Sequence, residues 1–158
     1  MSGATAEVPL TQGQVAIIDT ADAAAVFAHK WHAQRKRNTY YAARTVPHPG
    51  GGTRLQFLHT FLADYTMTDH INRDGLDNRR SNLREASNVE NQRNRGPASH
   101  GSSGLKGVSQ TSRNRWRARI TFADRQRTLG YFNSPEEAAR AYDAAARKSH
   151  GDFAVTNF

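Results

Sequence analysis

The spacing of apolar and polar positions divides the chain into a front part of short apolar runs, a polar middle and a regularly patterned back part. Runs at 15–18, 40–44 and 54–58 predict strands, the last two separated by the Pro- and Gly-rich turn cluster at 47–52. Ala24, Phe27, Ala28 and Trp31 recur at helical spacing, so 21–29 is expected to be a helix capped by Asp19 or Thr20. That stripe is expected to face a core. The middle, 69–94, reads DHINRDGLDNRRSNLREASNVENQRN and has few apolar residues. Asp74, Gly75, Asp77 and Asn78 are turn formers, so a strand should end at Asp69 and His70 and lead into a loop. A helix is predicted over 81–94, with Asn88, Asn91 and Asn94 three residues apart along one face.

Beyond it, RGPASHGSSG has no apolar periodicity and is expected to be a flexible linker. The back part then alternates. Arg113, Arg115, Arg117 and Arg119 share one strand face, while Trp116, Ala118, Ile120 and Phe122 share the other. A turn at 123–125 and a returning strand at 126–132 precede a helix with Ser134 as cap, Pro135 in its first turn, Glu137 completing a capping box and Gly151 as stop. Ala138, Ala141, Tyr142 and Ala145 form a stripe small enough for close approach to the apolar sheet face. Trp116 is therefore expected to be core.

The expected fold class is α+β. A mixed α+β region (1–57) leads into a polar motif (58–94), a linker (95–103) and a three-stranded antiparallel sheet packed on one helix (104–158). The 158 residues suffice for two or three small units, each with a modest core. Lys and Arg number 22 against 14 Asp and Glu, a formal net charge of +8 that suits a polyanion. The longest apolar run, 23–28, is too short to span a bilayer, so a membrane partner is not expected. With no Cys and no readable secretory signal, an intracellular location is expected. The cluster Arg35, Lys36 and Arg37 fits either a phosphate contact or a solvated turn.

Hydrolysis of a phosphodiester requires a base to activate water and a cation to neutralise charge on phosphate. Histidine suits the first task, and carboxylate or amide oxygens suit the second as ligands of Mg²⁺. The DH pair, the DNRRSNLR run and the following ENQ resemble the phage-type HNH homing endonucleases, whose site is the ββα-metal fold. The resemblance implies His70 as general base, Asn82 as the brace of its loop, and Asp69 with Asn91 as ligands of Mg²⁺ (or Mn²⁺). Asn88 rivals Asn91 as ligand. His59, which in this family is usually followed by Arg but here by Thr60, either braces the hairpin or takes part in catalysis. The implied setting is a bacterial cytoplasm or a phage-infected host cell.

KGV, W-x-A-x-I, LGYF, EEAARAYDAAA and the closing NF resemble the DNA-binding domain of the plant Apetala and ethylene-response-factor family. That resemblance implies a sheet lying in the major groove of double-stranded DNA. The expected contacts are Arg113, Arg115, Arg117, Arg119, Arg125, Arg127 and Lys106. Four arginines in alternation repel one another unless an anion lies across them. Ser109 and Thr111 stand where plant members commonly carry base-reading Arg, so the target sequence does not transfer. The leading expectation is a metal-dependent HNH DNA endonuclease held on duplex by this sheet. The alternatives are a sequence-specific DNA-binding transcriptional regulator with an inactive nuclease motif, and an RNA-binding protein.

Overall fold

The computed structural model describes residues 3–36, 39–63, 65, 67–96, 103–111, 114–122 and 125–158. Two compact units divide the chain, Met1–Asn88 and Val89–Phe158. Both are α+β with antiparallel sheets.

The first unit opens with a hairpin of β1 (Thr5–Pro9) and β2 (Val15–Asp19), in register with Val8 opposite Ala16. A short helix α1 (Ala23–Phe27) leads to a meander of β3 (His32–Lys36), β4 (Thr39–Pro47) and β5 (Thr53–Phe57) with β4 central. A second short helix, α2 (Leu58–Leu62), precedes the pair β6 (Thr68–His70) and β7 (Leu83–Glu85). Val8, Ile18, Val26, Trp31, Leu58, Leu62 and Leu83 form the core. Burying each large apolar side chain contributes about 1.5–3 kcal/mol. The Trp31 indole N–H donates to the Val26 carbonyl at 2.9 Å, which satisfies its one polar atom inside the core.

Two expectations fail here for non-local reasons. Of the stripe Ala24, Phe27, Ala28 and Trp31, only Trp31 reaches the core. Phe27 is 54% exposed, and Asp22 and Val26 are the buried pair. The Asp22 carboxylate, just before the helix, is held by Arg80, 58 residues away, at 2.8 Å. The segment 81–94 is not one helix either. Leu83 is drawn into the core and pairs with His70 as part of β7, so helix begins only at α3 (Asn88–Arg93). Strands β1 and β3 were not legible, since only Val8 in β1 and Ala33 in β3 are buried.

The second unit holds a sheet of β8 (Val108–Gln110), β9 (Trp116–Phe122) and β10 (Arg125–Phe132) in the order β10-β9-β8. Helix α4 (Pro135–His150) packs on it through Ala138, Ala139, Tyr142 and Ala146, against Val108, Ala118 and Ile120. Ser134 accepts from the Glu137 N–H at 3.2 Å as the N-cap, while the Glu137 carboxylate reaches back to the Asn133 N–H at 3.2 Å, one residue before the cap, rather than to the N–H of Ser134 itself. Trp116 is partly buried against this core. Close packing fixes Gly107, whose φ is +75° and whose added Cβ would sit 2.1 Å from the Tyr142 ring. The predicted linker and the turn at 123–125 lie largely outside the described residues. Among the described residues no helix is long and apolar enough to cross a membrane.

Candidate functional site

The polar middle of the chain folds into a loop that satisfies its own hydrogen bonds. Asn82 accepts from the Asn72 N–H at 3.0 Å, and its amide donates to Asn72 Oδ1 at 2.9 Å and to the Asp77 carbonyl at 2.7 Å. Asp77 takes two bonds from the Arg79 guanidinium, at 2.7 and 2.6 Å, one from the Arg79 N–H at 3.4 Å and one from Asn72 at 2.8 Å. The guanidinium of Arg79 holds the Asp77 carboxyl below its ordinary range. Asn78 is fully buried and donates to the Leu76 carbonyl at 3.0 Å while its Oδ1 lies 3.3 Å from His70 Nε2.

His59 and His70 are brought together, their rings 4.9 Å apart and edge to face, beside Tyr41 and Phe57. Burial, and then the charge His70 would carry, holds His59 down to about 3. Burial also lowers His70, against the opposing bond to Asn78 and the charges of Asp69, Asp74 and Asp77. His59 Nδ1 is buried and without a hydrogen-bond partner among the described residues. Both rings are thus held neutral inside an aromatic cluster.

Asp69 does not join them. Neighbours on a strand point to opposite faces, and Asp69 pairs across β6–β7 with Arg84, which donates to Oδ2 at 2.9 and 3.1 Å. His70 instead faces Leu83. Asn91 lies in α3, in the second unit, with Oδ1 buried and unpartnered among the described residues; Asn88 is exposed at the start of that helix. No group of three or more His, Asp or Glu among the described residues can hold a metal. The expectation of Mg²⁺ (or Mn²⁺) is therefore corrected: the carboxylates of Asp69, Asp77 and Asp22 are engaged by Arg84, Arg79 and Arg80.

The sheet of the second unit has a different character. Arg117 and Arg119 sit on the β9 face opposite the buried Ala118 and Ile120. Register places Ser109 and Tyr131 opposite Arg117, and Thr128 opposite Arg119, on this same face. Arg115 is exposed and donates to the Tyr131 carbonyl at 3.0 Å; Arg119 donates to Gln126 Oε1 at 2.8 Å. Arg117 Nε and Ser109 Oγ are buried and have no hydrogen-bond partner among the described residues. None of these three arginines forms an ion pair among the described residues. Tyr131 and Gln126 are members of the face that alternation within one strand did not find.

Arg125 and Arg127 fall elsewhere. They pair with Phe122 and Ile120, on the other face, and the Arg127 guanidinium lies over the Phe122 ring at 5.6 Å. A register shift between Thr128 and Gly130 separates them from Tyr131, a feature that sequence periodicity does not reveal. Lys106 lies in the turn before β8, its ammonium on the Arg93 carbonyl and its N–H on Asn157 Oδ1 at 2.7 Å. Arg113 is outside the described residues.

No family model matches the chain. An AP2/ERF and B3 domain-containing transcription repressor of Arabidopsis thaliana is 47% identical over 57 residues, 36% of this chain and 16% of the relative. An ethylene-responsive transcription factor of the same plant is 48% identical over 63 residues, 38% of this chain and 15% of the relative. An AP2-like ethylene-responsive transcription factor of Oryza sativa subsp. japonica is 46% identical over 63 residues, covering 38% and 10%. The chain spans about a sixth of the length of the first two relatives. These matches support the AP2/ERF-type resemblance of the C-terminal part.

These relatives overturn the leading functional expectation. They are named as transcription factors and repressors, so the reading as an HNH endonuclease, a phosphodiester hydrolase, is corrected. They are plant proteins, so the bacterial or phage setting, with homing, is corrected as well.

Proposed function

We propose that the chain is a sequence-specific DNA-binding regulator of transcription, which lays the sheet β8–β10 in the major groove of double-stranded DNA. One observation carries this reading. Arg115, Arg117 and Arg119 stand on a single sheet face with no carboxylate against them among the described residues, while the opposite face is sealed by α4. An unneutralised row of cations on a rigid strand suits the phosphates and guanine edges of a duplex. Arg113 extends the row by alternation in the sequence. Ser109, Gln126 and Tyr131 add polar and aromatic contacts beside it. Lys106 faces phosphate, and Arg125 and Arg127, on the other face, contribute charge at a distance rather than base contacts. The transcription-factor relatives support the regulatory role.

The test is selection of duplexes from a random pool, followed by anisotropy on the selected site. Replacing Arg115 and Arg117 together with Ala is expected to weaken binding roughly 100-fold, given about 1–3 kcal/mol per base-reading pair. The slope of log K against log salt should flatten by about 2 if both contact phosphate. Equal affinity for the selected and a scrambled duplex sinks sequence specificity. Efficient displacement by single-stranded RNA sinks the groove model.

A further inference from the structure

The arginine face is not the whole of the positive surface of the second unit. Beyond Val108–Ala118, where pairing of β8 with β9 ends, lies a cleft of about 240 Å³. Its walls come from α3, the turn before β8, strands β9 and β10, and Tyr142 and His150 of α4. Arg93, Lys106 and Arg119 line it with permanent positive charge, and none of its lining residues is acidic. Tyr142 and His150 are its remaining titratable groups.

His150, only 7% exposed, supplies a second and independent pointer. Its Nε2 lies 3.1 Å from the Thr121 carbonyl and so donates there, which leaves Nδ1 as a lone-pair nitrogen. That atom is buried and without a partner among the described residues. Burial chiefly, with the charges of Arg93 and Lys106 adding to it, keeps His150 below its ordinary value against the opposing bond to Thr121. Burial likewise pushes the Tyr142 hydroxyl up to about 12, so it stays neutral. Converging cations around an unpartnered imidazole are relieved by an anion, which balances their charge and stabilises a proton on Nδ1. A carboxylate is planar and is satisfied by one guanidinium. Donors from three different elements match a tetrahedral group with oxygens on every side.

We propose that this cleft is a phosphate-binding site, in which Arg93, Lys106 and Arg119 hold a phosphate group and His150 takes up a proton to become the fourth donor. The phosphate is either a phosphodiester of a bound duplex, flanking the contacts of the sheet, or that of a free phosphate compound. Only the first of these rests on the DNA-binding reading.

The experiment uses the full chain. Inorganic phosphate replaces chloride at constant ionic strength, while the Gly107 and Thr121 amides and the His150 imidazole are followed by NMR. Saturable shifts are expected in the wild type, with the His150 titration midpoint moving upward by more than half a pH unit. Arg93→Gln, which keeps the backbone carbonyl that Lys106 uses, should weaken the response at least fivefold. A second arm measures duplex affinity against salt. A slope reduced by about 1 in Arg93→Gln assigns the site to a duplex phosphodiester. An unchanged slope with the phosphate response weakened in Arg93→Gln assigns it to a free phosphate compound. If Arg93→Gln changes neither the phosphate response nor the slope, the site is refuted. A chain that binds phosphate here but no duplex would refute the DNA-binding reading and leave this site standing.

Discussion

Arginine plays opposite parts in the two units. In the first, Arg79, Arg80 and Arg84 each close on a carboxylate, at 2.6, 2.8 and 2.9 Å. In the second, Arg115 and Arg119 meet only neutral oxygens and Arg117 Nε meets no partner among the described residues. A paired guanidinium is already neutralised and holds the fold together. An unpaired one on a rigid strand keeps its charge for a ligand. Residue type alone does not separate the two cases; the partner does.

That contrast breaks if removing a paired carboxylate leaves the first unit unchanged. Asp69→Asn should cost about 2 kcal/mol, because Arg84 is largely buried and would lose its counter-charge, and should spare duplex affinity. Faster hydrogen exchange across β6 and β7 is the readout, and unchanged exchange refutes the structural role. Acid should act next. His59 is lowered to about 3 and His70 is also lowered, so the folded state takes up fewer protons than the unfolded chain below the ordinary histidine range. Stability is then fully present above about pH 6.5 and declines as pH falls below it, by roughly 1–2 kcal/mol at pH 5. Denaturant midpoints at pH 7 and pH 5, with His59→Gln as control, check this. A midpoint that rises on acidification contradicts buried neutral rings.

The unpaired set is sharpened by smaller changes. Arg117→Gln should lower duplex affinity about tenfold, or roughly 1.4 kcal/mol, with no loss of thermal stability. Lower stability with unchanged affinity would place Arg117 among the structural arginines. Smallest of all is Arg79→Ala. This side chain reaches solvent, so the change should lower the melting temperature less than Asp69→Asn does and leave duplex affinity alone, as parallel melting and anisotropy would show.

Local rules carried the second unit far and the first unit only part of the way. The capping box at Ser134 and Glu137, the stop at Gly151 and the alternation through 116–120 are short-range signals, and they correspond to α4 and β9. The first unit is decided by distant pairs. Nothing near residue 22 announces that Asp22 is buried against Arg80, and nothing near 83 announces that Leu83 belongs to the core as a strand residue. The same holds for the candidate site. Adjacency made Asp69 and His70 look like a unit, yet a strand turns adjacent side chains apart, and the arginine that takes Asp69 lies 15 residues on. On the sheet, the shift between Thr128 and Gly130 moves Tyr131 to the arginine face in a way that counting by twos misses.

Strand β9 presents arginines above and alanine and isoleucine below within one alternating run. A substitution on the upper face changes one contact and nothing beneath it. Deleting a single residue between 117 and 119 would exchange the two faces, driving charge under α4 and the core outward. The length of this strand is therefore far less tolerant than its upper side chains. Binding preference can drift by point changes at 115, 117 and 119, while the frame that displays them stays fixed.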